Sequence, residues 1–210
     1  MRNIDFVILA GGKGSRIRKY LGKYPKPMLS VNNKHFIQYI INKISKYNVK
    51  RIIILCGFRY NILFKKYHNK RVNFVKITCL KEKKLMGTAG ALKNLKKMKV
   101  KDFVLLNGDT FFDIDIKSLI SNTNKKSIGS IALTKNLNQS SIKLNNLGLK
   151  NGYVYLKKKS FLMNGGIYYF KKEFFKHLGN AISLENDLLI KLINKNLIKG
   201  KKFDSFFIDI

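Results

Sequence analysis

Asp5-Phe6-Val7-Ile8-Leu9-Ala10-Gly11-Gly12-Lys13-Gly14-Ser15-Arg16-Ile17-Arg18 decides the reading of this chain. Asp5 to Ala10 is an apolar run of strand length. Glycines follow at once, then basic residues. A buried strand that runs into a glycine-rich turn is how α/β proteins build a phosphate cradle: without Cβ atoms, backbone N–H groups close on an anion. An arginine at the end of the turn can cap that anion. Two similar patterns are excluded. No Gly-Lys-Ser/Thr follows a four-residue spacer, so this is not a P-loop. Gly12 and Gly14 lack the third glycine and the distant ribose acid of a dinucleotide fingerprint.

The 210 residues, with 45% hydrophobic content, suffice for one domain with a sizeable core. A single domain over 1–210 is expected. No apolar run reaches the roughly eighteen residues of a membrane span. Asp5 and the glycine turn interrupt anything resembling a signal peptide. Cys56 and Cys79 sit in apolar runs without metal-ligand spacing and read as buried free thiols of a reducing compartment. A cytoplasmic protein with no membrane partner is expected.

The net charge of +32 suggests nucleic acid at first sight. Only six of the 43 basic residues are arginine, however, and the lysines are spread along the whole chain. With Asn and Ile also over-used, this reads as compositional bias and a solvated lysine surface. No nucleic-acid partner is expected, and a basic nucleic-acid binder stays a distant alternative. Acids are few, eleven in all, so Asp109 and Asp209 stand out in their apolar or glycine-rich settings.

In order, Pro25-Lys26-Pro27 holds the only two prolines and places Lys26 on a stiff, extended segment. The spacing predicts a helix over 35–47 with Asn33 as its cap, a strand over 51–57, a short helix over 60–68 and a strand over 72–80. Glu82 precedes Gly87-Thr88-Ala89-Gly90-Ala91, which opens a helix expected to reach about residue 98. A strand over 102–106 runs into Asn107-Gly108-Asp109, an acid where open α/β sheets bind ligands. Its hard oxygens suit Mg²⁺. Asp115 is expected to cap a helix over 116–120, and the isolated histidines 35, 68 and 177 read as structural or exposed. Strands follow over 128–133, 142–149 and 153–156, with a turn at 150–152. Met163 to Phe170 is another strand, Ser183 caps a helix to about 195, and a strand over 203–210 ends the chain. Alternating strands and helices predict an α/β fold, a doubly wound, mostly parallel mixed sheet.

These motifs resemble the sugar-1-phosphate nucleotidylyltransferases, the nucleoside-diphosphate-sugar pyrophosphorylases. The family pattern Leu-Ala-Gly-Gly-x-Gly-Thr-Arg-Leu, then Pro-Lys-Pro-Met, stands here as Leu9 to Ile17, with Ser15 for Thr, and Pro25 to Met28. Further blocks, at 87–91, 107–109, 164–168 and 207–210, follow in order over essentially the whole chain. The resemblance is closest to the branch with heptose- and mannose-1-phosphate guanylyltransferases. It implies a Rossmann-like fold with a nucleotide half at about 1–110 and a sugar-phosphate half at about 111–210. It also implies transfer of a nucleotidyl group from a nucleoside triphosphate to a sugar 1-phosphate, for surface glycan synthesis. The nucleophile is already ionised, so the protein's work is positioning and charge neutralisation.

By the same resemblance, Arg16 and Lys26 are catalytic. Leu9, Ala10, Gly11, Gly12, Gly14, Ser15, Glu82, Gly87, Thr88, Asn107 and Gly108 bind the nucleotide. Asn164, Gly165 and Glu185 bind the sugar phosphate, and Asp109 with Asp209 hold Mg²⁺. Two departures matter. No Glu precedes Lys157-Lys158-Lys159, so none of the three is singled out. Asp209 stands one residue from the last, which implies a looser hold on it. Glu82 stands where pyrimidine-using relatives carry Gln, and a carboxylate offers acceptors only. Guanine's N1–H and N2–H₂ would face it well and uracil would not, which points to GTP. Uridylyl transfer to a hexose or amino-sugar phosphate is the alternative, and self-association stays open.

Overall fold

The computed structural model describes residues 4–47, 49–82, 86–135 and 145–210. The first half contains strands β1 (Asp5–Ala10), β2 (Ser30–Val31), β3 (Lys34–His35), β4 (Arg51–Cys56), β5 (Arg71–Val72), β6 (Val75–Lys81), β7 (Phe103–Asn107) and β8 (Thr110–Phe112). The second contains β9 (Gly129–Lys135), β10 (Asn145–Lys150), β11 (Tyr153–Leu156), β12 (Leu162–Phe170), β13 (Ile198–Lys202) and β14 (Phe207–Asp209). The helices are α1 (Arg18–Leu21), α2 (Phe36–Ile44), α3 (Tyr60–Tyr67), α4 (Gly87–Leu92), α5 (Asn94–Lys97), α6 (Ile116–Ser121) and α7 (Ile190–Asn194). Among the described residues no helix is long and apolar enough to cross a membrane.

The main sheet runs β10-β11-β13-β9-β12-β7-β1-β4-β6-β5. Its centre, β7-β1-β4-β6, is parallel. β12 lies antiparallel between β7 and β9. β10 also pairs with β12, which closes the far end into a ring of five strands. The continuous apolar runs have a direct cause: both faces of the central strands are covered. Phe6 and Ile8 of β1 pack with Ile37 and Ile41 of α2 on one face. Val7 of β1 packs with Leu92 of α4 and Leu192 of α7 on the other. Because β4 and β7 flank β1 on opposite sides, the strand order reverses at β1. The crevice at the carboxyl ends of these strands is where such sheets bind ligands.

Several sequence expectations are corrected here. Asn33 does not cap α2. Asn32 and Asn33 both take positive φ, 45° and 59°, and turn the β2–β3 hairpin. The 72–80 strand is broken by a second such turn at Asn73 and Phe74. Lys26–Met28 is a 3-10 turn, not an extended segment, although Pro25 before it is extended. The helix from Gly87 is split into α4 and α5. The strand expected over 142–149 is β10, with residues 142–144 outside the described residues. The closing strand covers only Phe207–Asp209. β13 is a lysine-rich strand whose buried positions are Ile198 and Gly200, too sparse a pattern to announce itself.

Other expectations hold. Asp115 accepts from Lys117 N–H at 3.0 Å and Ser118 N–H at 3.3 Å, capping α6. Ser183 accepts from Asn186 N–H at 3.0 Å, but what it opens is a π-helical turn over Leu184–Leu189 that passes into α7. Both cysteines are buried and free.

Candidate active site

Asp209 is tied to the rest of the fold in three ways. β14 pairs antiparallel with β8, setting Asp209 opposite Thr110. Thr110 Oγ1 donates to Asp209 Oδ1 at 2.6 Å. Ile210 N–H donates to the Asp109 carbonyl at 3.1 Å. Behind them the Phe207 and Phe203 rings meet Phe112 edge-on. The looser hold expected for this residue is therefore corrected: backbone, hydroxyl and aromatic contacts all fix it.

This closure brings both ends of the chain to one cavity of about 360 Å³ at the crevice, within the range of small-molecule sites. Thirteen of the residues expected from sequence line it. Leu9, Gly11, Gly12 and Arg16 come from β1 and its turn, Lys26 from the 3-10 turn, and Glu82 from the end of β6. Gly87 and Thr88 open α4, while Asn107 and Asp109 close β7. Asn164, Glu185 and Asp209 complete the set.

Five expected residues do not line it. Ala10 is buried in the sheet. Gly14 takes φ +62°, and a Cβ there would stand 2.9 Å from Lys26 Cβ, so it lets the cradle press against Lys26. Ser15 starts the following 3-10 turn. Gly108 packs on the Leu9 carbonyl, to which its N–H donates at 2.9 Å. Gly165 packs on the Phe112 ring, and its neighbour Gly166 faces the cavity instead. Lys157, Lys158 and Lys159 are exposed on the β11–β12 connection, outside the lining.

The polar groups of the site are oriented by specific bonds. Lys26 Nζ lies 2.8 Å from Asp109 Oδ2. Thr88 Oγ1 accepts from Leu184 N–H at 2.7 Å and donates to Glu185 Oε2 at 3.1 Å. The π-helical turn carries Glu185 into this position, buried at 4% exposure. Asn164 Nδ2 donates to the Tyr168 hydroxyl at 2.6 Å, and its Oδ1 accepts from Gly166 N–H at 3.1 Å. Full burial, then the nearby Glu185 charge, hold the Tyr168 phenol well above its ordinary pKa, so it stays protonated. Glu82 is buried and lies directly against the cradle, where its Oε1 occupies the space a Cβ on Gly11 would need. Burial raises its pKa, and the Met86 N–H that donates to Oε2 pulls the other way. Loss of solvent raises the Asp209 pKa, opposed by the Thr110 bond and reinforced by Asp109.

Sequence reasoning missed Lys13, Thr110, Gly166 and Phe207, all of which line the cavity, and Tyr168 beneath it. Lys13 was hidden among many lysines. Thr110 and Gly166 adjoin motif residues, and only the three-dimensional pairing shows that they face inward. The residues fit Mg²⁺. Asp109 and Asp209 offer hard carboxylate oxygens on one wall, and no group of three or more acid, histidine or cysteine ligands occurs among the described residues. Mg²⁺ is commonly held by one or two carboxylates with phosphate and water completing the octahedron.

Residues 6–141 match the Nucleotidyl transferase family. A D-glycero-alpha-D-manno-heptose 1-phosphate guanylyltransferase of Campylobacter jejuni is 31% identical, over 97% of this chain and 93% of the relative. One of Aneurinibacillus thermoaerophilus is 28% identical, over 99% and 93%. The crystal structure of HddC from Yersinia pseudotuberculosis complexed with GMP-PN superposes with a TM-score of 0.78 at 25% identity, over 98% of this chain and 93% of that one. The family match takes in the glycine cradle, Lys26 and Asp109, and this chain belongs to the nucleotidyl transferase family.

Proposed function

We propose that this chain transfers a guanylyl group from GTP to a D-glycero-α-D-manno-heptose 1-phosphate and releases pyrophosphate. Two relatives similar along nearly the whole length of both chains bear that activity in their names, and HddC is known with GMP-PN bound. The observation that carries the base assignment is Glu82. Among the described residues its buried carboxylate has one backbone donor, the Met86 N–H, and wants further ones. Guanine's N1–H and N2–H₂ supply two, whereas uracil would set a carbonyl oxygen against it.

The chain's own groups then divide the work. The N–H groups around Gly11 and Gly12 receive the triphosphate. Arg16, with no carboxylate partner among the described residues, faces the leaving pyrophosphate. Lys26 neutralises charge where the sugar phosphate oxygen attacks the α-phosphorus in line with the leaving group. Glu185 and Asn164, both fixed by their own hydrogen bonds, receive the sugar. Asp109 and Asp209 would hold Mg²⁺, which when bound spreads the charge shared by the phosphates. The two buried free thiols support a cytoplasmic setting.

The test is base preference. In wild type, pyrophosphate release with GTP is expected to exceed that with UTP. Glu82→Gln is expected to shift the GTP-to-UTP ratio of kcat/KM by roughly 10- to 100-fold, about 1–3 kcal/mol. An unchanged ratio overturns the Glu82 reading. The preference also has a pH signature. The raised pKa of Glu82 means that acidification protonates it earlier than an ordinary carboxylate of about 4.3. GTP preference should therefore fall as pH drops, from a higher pH than an exposed Glu would give, and this dependence should be missing in Glu82→Gln.

A further inference from the structure

Arginine is scarce here, six of 43 basic residues. An arginine in a lysine-rich chain brings a planar guanidinium that an ammonium does not reproduce. Arg51 forks onto buried Asp5, at 2.6 Å and 3.5 Å. Arg16 lines the cavity. Arg18 and Arg59 do neither. Among the described residues they have no carboxylate partner, and they are absent from the cavity lining.

These two arginines converge on one ring and one carbonyl. Arg18 Cζ lies 4.8 Å from the Phe58 centroid and Arg59 Cζ lies 5.2 Å from it. Arg18 Nη2 donates to Gly22 O at 3.2 Å, and Arg59 Nη1 donates to the same oxygen at 2.8 Å. The two nitrogens are therefore no farther apart than the sum of those distances, 6.0 Å. Arg18 Nη1 also donates to Tyr24 O at 3.4 Å. Arg59 itself sits at φ +54°, in the left-handed region that a residue with a Cβ seldom takes. Both bonds to Gly22 O are solvent-exposed, so the like charges cost little there, and the disfavoured backbone angle of Arg59 is what its surroundings must hold.

What they grip is the approach to Lys26. Gly22 and Tyr24 lie between α1 and the 3-10 turn that carries Lys26. Phe58 N–H donates to Gly11 O at 3.0 Å, joining the ring to the phosphate cradle. On the inner side, Gly14 already presses against Lys26 Cβ. We infer that Arg18, Phe58 and Arg59 form a clasp that positions Lys26 against the phosphate cradle. They are positioning residues for nucleotidyl transfer that touch no substrate. This rests on the role given to Lys26 above.

The test uses Arg59→Gly in the full chain. Glycine takes φ +54° freely, so the variant relieves the backbone while removing the guanidinium. The expected result is a melting temperature no lower than wild type, with kcat for pyrophosphate release from GTP and the heptose 1-phosphate lowered roughly 10- to 100-fold. KM for GTP should stay within about threefold. Arg59→Lys keeps the charge and a single donor for Gly22 O, and is expected to lose less kcat than Arg59→Gly. In a Lys26→Met background, Arg59→Gly should cost little more, because residues acting through one group are not additive. Unchanged kcat, a kcat loss explained by a lower melting temperature, or the full loss recurring in the Lys26→Met background would each overturn the clasp. Absence of pyrophosphate release by the wild-type protein would instead refute the reading on which it rests.

Discussion

Lys26→Met is expected to lower kcat for nucleotidyl transfer by about 10²- to 10³-fold, the usual effect of removing one charge-stabilising donor from a preorganised site. The fold should survive it. The partner it leaves, Asp109, has a side chain 34% exposed and can turn to water, so the stability change should stay within about 1 kcal/mol. The long stem packs beside Gly14, and Met preserves most of it. GTP affinity, read by calorimetry, should change much less than kcat, since the charge is needed most where the α-phosphorus is being attacked. An unaltered kcat would remove Lys26 from the chemistry and return it to the large population of solvated lysines.

Asp209→Asn is the second large effect. Asparagine keeps the shape and still accepts from Thr110 Oγ1, so β14 should stay in register on β8. The negative charge is lost. Mg²⁺ affinity should fall by more than the roughly 10- to 100-fold that loss of even an outer-shell partner costs. Binding of Mn²⁺ in the presence of GTP, followed by electron paramagnetic resonance, reads this without turnover. Steady-state rates should need far more Mg²⁺ to recover. Normal Mn²⁺ binding in Asp209→Asn would mean that the carboxylate pair is held together for some other reason, Thr110 and Ile210 being structural ties only.

The parts of the fold that were legible in sequence are those where local pattern and tertiary environment agree. β1 and β4 are unbroken apolar runs because both faces are covered, and α2 shows its helical period because one stripe is buried. Asp109 and the glycine cradle stood out because acids and glycines in apolar settings are costly unless used. What was not legible depends on partners distant in sequence. β14 is three residues long and exists only because β8 receives it. β13 has two inward positions and otherwise reads as a lysine-rich tail. Asn33 looked like a helix cap because Asn serves caps and left-handed turns equally well. Gly165 and Gly166 are identical in sequence terms, and only the Phe112 ring decides which one packs and which one faces the cavity. Lys13 could not be told from other lysines until the cradle was folded around it.

Residues from both halves of this chain line one cavity, which under the proposed function joins GTP to a sugar 1-phosphate. The most direct measurement is Mg²⁺-dependent pyrophosphate release by the purified chain, using GTP, UTP, CTP, ATP and dTTP against a panel of sugar 1-phosphates. The result expected is release with GTP and D-glycero-α-D-manno-heptose 1-phosphate well above every other pair. Release that is highest with another triphosphate, or none with any pair, would contradict it.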